Sequence, residues 1–338
     1  MATEILAKLH AGYFRITLAL AAQVLLWKII ILQPQPNSIL VPKFFYFVFL
    51  SLAWSLSALV LAVLSALYSL RCVLRFDMIK EEFSSNVGVN YLFVPWISWL
   101  LLIEAAPFVT TKTASFVTMW CIFAIPVLML DVKIYGQWFT AGKRYLVAAA
   151  NPTSLLTVIG NLVGSRAAAK MGWNEVSVFL FSLGIAHYLV LFVTLYQRIP
   201  SGESLPGMLR PSFFLFFAAP SVASLAWYSF SGSFDTVARM LFFLSFFMFA
   251  SLACRPNIFK TAMKRFHLSW WSYSFPVTML ALAATRYEQE VRSGFTRGIR
   301  ILLSALSVLI LLSLLLFSGF KSKSLLRDDD GSPELTAI

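Results

Sequence analysis

Charged and reactive side chains are scarce in this sequence. Only 12% of its 338 residues are charged, while 59% are hydrophobic, whereas a soluble domain carries about 25% charged residues. A soluble globular fold is therefore excluded. The three cysteines form no CxxC pair and have no histidine at ligand spacing. They are predicted to be buried structural thiols, with neither a disulfide framework nor a metal site.

Catalytic motifs are missing as well. The sequence contains no HExxH, GxSxG or P-loop motif and no pair of carboxylates on one helix face, and its three histidines lie far apart. His187 is the histidine expected at membrane depth, where a hydrogen-bonded structural role is favoured over a proton relay. We therefore predict a protein that is not an enzyme and needs no cofactor or metal.

Apolar residues are arranged in blocks of about 20, the length that crosses about 30 Å of hydrocarbon. The first block is too long for a cleaved signal peptide and has no small-residue cleavage site. Short connections predict that consecutive helices pair as antiparallel hairpins. The sequence thus predicts an all-α membrane protein: a short N-terminus (1–11), a ten-helix domain (12–319) and a C-terminal tail (320–338). The spans are predicted at about 12–32, 43–70, 90–108, 114–133, 153–170, 174–196, 211–230, 235–255, 270–290 and 297–319.

The formal charge of +12 is compatible with nucleic acid, lipid headgroups or an anionic substrate. Nucleic acid is disfavoured because the basic residues are scattered over short loops. With the N-terminus inside, 16 lysines and arginines fall on the cytoplasmic side and 9 on the other. The positive-inside rule therefore places both termini in the cytosol.

Helix-breaking residues are concentrated in the odd-numbered spans. Pro95, Pro220 and Pro276 are predicted inside spans three, seven and nine. A proline leaves the carbonyl four residues earlier without its hydrogen bond, so a kinked helix belongs against protein or a wet cavity. We predict that the odd helices form an inner, pore-lining ring and the even helices an outer, lipid-facing ring. Prolines tolerated by packing alone remain the alternative.

Two charged residues fall within predicted spans. Arg15 is near the cytoplasmic end of span one, where it can either snorkel to water or attract anions at the inner mouth. Glu104 is near the outer end of span three, so the buried carboxylate expected of a proton- or sodium-coupled transporter is missing. A pore for small anions needs instead hydroxyls, exposed N–H groups and a modest positive field, although each hydroxyl can equally make an interhelical hydrogen bond. The predicted pore-lining residues are Phe14, Arg15, Pro95, Ser98, Thr157, Asn161, Pro220 and Ser221.

A series of motifs runs through the chain in order. Among them are KIYGQW at Lys133–Trp138, NPTS at Asn151–Ser154, VIGNLVG at Val158–Gly164 and WWSYSFPVT at Trp270–Thr278. Over roughly residues 10–290 the sequence resembles the plant slow-type (S-type) anion channels, a family related to bacterial tellurite-resistance and dicarboxylate transporters. The opening Leu9–Ile16 is most similar to the short-tailed subgroup of that family.

The resemblance implies five helical hairpins around a central pore, with one pore in each protomer of a trimer. It assigns the gating phenylalanine to Phe275, supported by a bend at Pro276. It assigns the basic residues of the inner vestibule to Lys80 and Arg144, to which we add the neighbouring Lys143.

Two positions depart from the family pattern. Arg15 stands where the founding member has a glycine, and Glu81 replaces a second basic residue beside Lys80. The long phosphorylated N-terminal tail of other members is also missing from this sequence. Activation by a kinase through such a tail is therefore not carried over.

The sequence thus predicts a multi-pass plasma-membrane channel that conducts chloride and nitrate passively. Its expected partners are these anions, membrane lipids and further channel subunits, as a homotrimer or a heterotrimer, with no nucleic acid. Two alternatives stay open: a non-conducting subunit that modifies a related channel, and a proton-coupled carrier for malate-like dicarboxylates.

Overall fold

The computed structural model describes residues 6, 8–32, 43–138, 146, 150–198, 207–264 and 266–321. In these residues all regular secondary structure is helical. Ten long helices follow one another along the chain: α1 (Phe14–Ile31), α2 (Lys43–Leu74), α3 (Phe93–Ala105), α4 (Ala114–Trp138), α5 (Leu155–Met171), α6 (Asn174–Arg198), α7 (Leu215–Ser231), α8 (Thr236–Ala253), α9 (Ser274–Val291) and α10 (Gly294–Phe320).

Eight helices of the described residues are long and apolar enough to cross a membrane. The other two long helices are α5, which has 17 residues, and α9, whose last turns carry Arg286, Glu288 and Glu290. Both lie largely inside the protein, since α5 is buried from Leu155 to Ala169 and α9 from Ser274 to Thr285. The fold class, an all-α membrane protein, is confirmed, and the count of ten spans stays a prediction.

The five odd-numbered helices form a closed ring. Going round it, α1 packs against α3, α3 against α5, α5 against α7, α7 against α9, and α9 against α1. Each even-numbered helix packs on the outside of the odd-numbered helix before it and presents large apolar side chains outward, as Leu52, Leu56 and Leu59 of α2 do. The predicted arrangement of hairpins with odd helices inside is therefore present, and the pore itself remains a proposal.

Glycine residues on α5 and α6 allow α5 to pack closely against α4 and α6. A methyl group at Gly160 would lie 3.0 Å from Cγ1 of Val127 on α4, and one at Gly184 of α6 would lie 3.0 Å from Leu162 of α5. Both distances are too short for an ordinary contact. Small residues at helix interfaces replace the hydrophobic effect, which does not drive helices together in lipid.

Each inner helix is preceded by a short helical turn, and the five turns touch. The 3-10 turns Ala11–Tyr13, Pro152–Ser154, Gly207–Phe214 and Leu268–Tyr273 lead into α1, α5, α7 and α9, and the short helix Gly88–Tyr91 precedes α3. Neighbouring turns contact one another all the way round. They form a collar at one end of the ring, which we call the collar end; the inner helices finish at the opposite, far end.

The prolines of the inner helices lie within the predicted spans. Pro220 lies inside α7. Pro95 and Pro276 are each the third residue of their helix, α3 and α9, and Pro95 is inside the apolar span Gly88–Ala105. The helix geometry changes from 3-10 to α after Tyr273, and a bend at Pro276 stays a prediction.

Candidate functional site

Phe275 lies at the collar end of the inner ring. It is the second residue of α9, directly after the change from 3-10 to α geometry, and it is 1% exposed. Its ring belongs to the main apolar cluster of the protein. A 3-10 turn at the start of an α-helix is a common geometry.

The turn before Phe275 is anchored by its aromatic residues. Trp270 Nε1 donates to the carbonyl of Ala262 at 2.9 Å, and Trp271 Nε1 donates to Ser318 Oγ of α10 at 3.2 Å. Tyr273 packs edge-on against Phe214 of the neighbouring collar turn, with 4.8 Å between ring centroids. These contacts fix the 3-10 turn on three sides and thereby position the start of α9.

Arg15 is enclosed in the collar and does not snorkel to water. It is 4% exposed. Its Nε donates to the Gly12 carbonyl at 2.9 Å, and its Nη1 reaches Tyr91 Oη at 3.1 Å and Ser272 Oγ at 3.5 Å. The guanidinium also lies over the Tyr91 ring, 4.6 Å from its centroid. Arg15 therefore connects three collar turns, and no carboxylate of the described residues forms an ion pair with it.

Ser98 of α3 contacts a second hydroxyl on the adjacent inner helix, α1. Thr17 Oγ1 of α1 donates to Ser98 Oγ of α3 at 3.2 Å, and both residues are fully buried. Ser98 in turn donates to the Val94 carbonyl at 2.8 Å. Ser98 is seven residues beyond Tyr91, which places the hydroxyl pair about 10 Å along α3 from the collar.

Other hydroxyls that were predicted to line the pore contact the outer helices instead. Thr157 of α5 accepts from Tyr135 Oη of α4 at 3.2 Å, and Ser221 of α7 bonds to Ser245 of α8. The Asn161 amide donates to the carbonyl of Thr157 at 3.1 Å. Thr157 and Ser221 thus join inner to outer helices, as polar residues commonly do in membrane bundles, whereas the Asn161 bond lies within α5.

Phe14 also turns outward, with its ring edge-on to Tyr68 of α2 at 5.8 Å between centroids. His187 has the structural role that the sequence favours, because its Nδ1 contacts the Leu183 carbonyl at 2.7 Å and its ring stacks on Tyr135. The cysteines are free thiols, but Cys254 is exposed and the other two are only half-buried. The prediction of three buried thiols was therefore wrong.

Of the three basic residues predicted at the inner mouth, the structure describes one. Lys80 is exposed on a short helix, Phe76–Ser84, that leads from α2 towards the collar. Lys143 and Arg144 lie outside the described residues.

A buried acid that sequence reasoning did not identify anchors this short helix. Glu82 is 2% exposed, forms an ion pair with Arg71, and accepts a hydrogen bond from Tyr68 Oη at 2.9 Å. The backbone N–H of Ala11 also points to Glu82, at 3.4 Å. The carboxylate therefore ties the short helix to α2 and to the first collar turn. Its position on the inward side of an amphipathic helix was the available signal.

A second charged cluster that sequence reasoning did not identify lies at the far end. Arg166 of α5 was predicted from the sequence to lie outside the membrane. It is instead buried inside the bundle and contacts Glu104 of α3 at 3.1 Å. Lys170, one turn further, pairs with the same carboxylate. The helix then ends at Gly172, whose φ of 85° is left-handed and therefore suits glycine.

The closed ring of buried helices, surrounded by apolar outer helices, defines a polytopic α-helical membrane protein. The family described as voltage-dependent anion channels matches residues 8–318, and the chain belongs to this family. Its members are channels rather than enzymes.

The similar curated proteins are S-type anion channels of Arabidopsis thaliana. SLAH1 is 52% identical over 324 residues, which are 96% of this chain and 84% of SLAH1. SLAH4 is 52% identical over 326 residues, 96% of this chain and 87% of SLAH4. The guard cell channel SLAC1 is 40% identical over 304 residues, 89% of this chain but 54% of SLAC1. The resemblance to S-type anion channels is thus confirmed.

Proposed function

We propose that this chain is a passive anion channel that conducts chloride and nitrate through the inner ring, with Phe275 as its gate. One observation carries the proposal: Phe275 is buried at the collar, directly after the junction where the geometry of α9 changes. The names of the similar proteins support anions as the permeating species.

The proposed gate works by excluding water. An apolar ring in a narrow passage keeps the passage dry, and an anion stripped of its hydration shell pays a large desolvation cost there. A small movement at the junction between the 3-10 turn and α9 would shift Phe275, because it is the second residue beyond Tyr273. The gate would then open without any change in the rest of the ring.

Arg15, Thr17 and Ser98 provide the polar groups that such a pathway needs. Arg15 adds an unpaired positive charge to the collar, which favours anions over cations. The hydroxyls of Thr17 and Ser98 lie between α1 and α3, where they replace part of the hydration shell of a passing anion. Glu104 is held by Arg166 and Lys170, so it is not free to carry a coupling proton.

The proposal includes the surroundings of the channel. The collar end faces the cytosol and the far end faces outward, in accordance with the excess of basic residues in the loops of the collar side. The membrane is the plasma membrane, and the exposed apolar side chains of the even helices contact lipid and neighbouring subunits of a trimer.

Voltage-clamp recording in chloride, nitrate and malate tests this function. We expect Phe275→Ala to carry chloride and nitrate currents whose reversal potential follows the anion gradient and does not change with pH. A reversal potential that shifts with pH, together with saturable malate uptake, would instead indicate the carrier.

A non-conducting subunit is the second candidate, because Arg15 bridges three collar turns and so holds the collar closed. Absence of current in both wild type and Phe275→Ala, at normal surface expression, would favour it. Co-expression with a related channel would then change the current of that channel.

A further inference from the structure

The far end of the inner ring carries four basic side chains around one acid. Arg166 Nη2 contacts Glu104 Oε1 at 3.1 Å, and Lys170 pairs with the same oxygen. Lys28 Nζ of α1 donates to the Glu104 carbonyl at 2.8 Å. Arg286 of α9, at the same end of the ring, is coupled to Arg166, Lys170 and Glu104 through the electrostatic field of these charges. We call these five residues the far-end cluster; they come from four of the five inner helices.

The far-end cluster has an excess of positive charge. Its four cations and one carboxylate leave a net charge of +3. Two acids of the same end have other partners: Glu288 pairs with Arg300 at 3.7 Å, and Asp235 accepts from the Trp227 indole at 2.9 Å. Glu290, in the last turn of α9, is exposed. Among the described residues, Glu104 is therefore the carboxylate in direct contact with the cations of the cluster.

The two arginines of the far-end cluster are paired to different extents. Arg166 is 2% exposed, and its Nη2 contacts Glu104. Arg286 is half-buried; its Nη1 donates to Gln289 Oε1 at 2.8 Å, its guanidinium lies over the Tyr228 ring at 5.1 Å from the centroid, and its Nε is buried without a partner in the described chain. Buried cations with unused donors are costly unless an anion neutralises them.

We propose that the far-end cluster is a binding site for a small monovalent anion such as chloride or nitrate. Arg166 and Arg286 supply the N–H donors, and Lys170, whose side chain is 30% exposed, carries charge towards solvent. Glu104 holds Arg166 and Lys170 in place and lowers the net charge, so that the anion is released again. Weak binding of this kind is what conduction requires. The role in conduction rests on the proposed function, whereas binding does not.

Thermal unfolding of the purified full-length protein in chloride, nitrate or gluconate, at constant ionic strength, tests the binding site. We expect the wild-type melting temperature to rise in a saturable manner with chloride and with nitrate. Arg166→Gln should raise the half-saturating chloride concentration about tenfold or more, as expected for loss of a hydrogen bond to a charged group. Lys170→Met removes one partly exposed charge and should shift it in the same direction if Arg166→Gln does not fold.

Lys112→Gln is the matched control, because Lys112 is an exposed cation in the loop after α3 and lies outside the cluster. It should respond to chloride as the wild type does. A wild-type melting temperature that chloride does not change, or a response that is identical in Arg166→Gln, Lys170→Met and wild type, would overturn the proposal.

The two proposals can fail separately. Stabilisation by chloride that Arg166→Gln abolishes, in a protein that passes no current even as Phe275→Ala, would leave the anion site standing without the channel. Anion currents in Phe275→Ala that remain the same when Arg166→Gln is added, with no stabilisation by chloride, would leave the channel standing without this site.

Discussion

At the collar end, the inner helices begin in tight turns packed with aromatic side chains, whereas at the far end four of the five carry charged residues in their last turns. At the collar, Arg15 has no carboxylate partner among the described residues and is fixed by three polar partners. At the far end, Arg166 and Lys170 pair with the Glu104 carboxylate, and Lys28 donates to the backbone carbonyl of Glu104. In the proposed account, the apolar collar end closes the ring and the charged far end binds anions.

The largest effect is expected from the buried acid behind the collar. Glu82→Ala leaves Arg71 buried without its partner, which should destabilise the protein by about 3–5 kcal/mol. Thermal unfolding of the purified protein measures this loss. The neighbouring Glu81 is exposed, so Glu81→Ala should change stability by less than about 0.5 kcal/mol. Equal effects of the two substitutions would show that the Glu82 ion pair does not hold the collar.

The corresponding substitution at the far end should depend on the anion. Glu104→Gln leaves Arg166 and Lys170 without a carboxylate, but a bound chloride can replace it. We expect a loss of about 3–5 kcal/mol in gluconate and a smaller loss in chloride, measured by thermal unfolding. A loss that is the same in both salts would remove the proposed difference between the ends.

Arg15 tests whether the collar is held closed by polar contacts. Arg15→Gly removes its hydrogen bonds to Gly12, Tyr91 and Ser272 but also removes a buried, unpaired charge, so the net stability change should be about 1 kcal/mol or less. The freed start of α9 should raise the anion current in the presence of an intact Phe275. An unchanged or smaller current, at equal surface expression, would show that Arg15 does not restrain the gate.

The smallest effect is expected at the hydroxyl pair between the two ends. Ser98→Val removes one hydroxyl from the proposed pathway, and a hydrogen bond of about 1 kcal/mol corresponds to a change of about fivefold in nitrate-to-chloride permeability. Reversal potentials in mixed solutions measure this ratio. Ser221→Val is the control, because Ser221 bonds to Ser245 of an outer helix. A ratio that changes equally in both variants, or in neither, would exclude Ser98 as a selectivity residue.

Much of the fold was predictable because the membrane imposes a strong local pattern. Blocks of about 20 apolar residues mark the spans, and short loops make neighbouring spans antiparallel. The prolines correctly indicated which helices lie inside, although Pro95 and Pro276 turned out to lie in first turns. The collar was not predictable, because tight turns that touch one another depend on contacts between distant parts of the chain.

The direction of polar side chains could not be predicted for the same reason. A hydroxyl on a fully buried helix has neighbours on every side, so the sequence does not show whether Thr157 faces the ring or an outer helix. Arg166 was grouped with the loop charges because basic residues near the end of a span usually lie outside the membrane. Only the pairing with Glu104, more than sixty residues away, places it inside.

The central claim is that Phe275 closes the ring, and one matched comparison tests it most directly. Chloride current at a fixed voltage is compared between Phe275→Ala and Phe242→Ala at equal surface expression. Phe242 is also a fully buried phenylalanine but lies on outer helix α8. We predict a current well above wild type for Phe275→Ala and no increase for Phe242→Ala. A current in Phe275→Ala that is no larger than in Phe242→Ala would contradict the account.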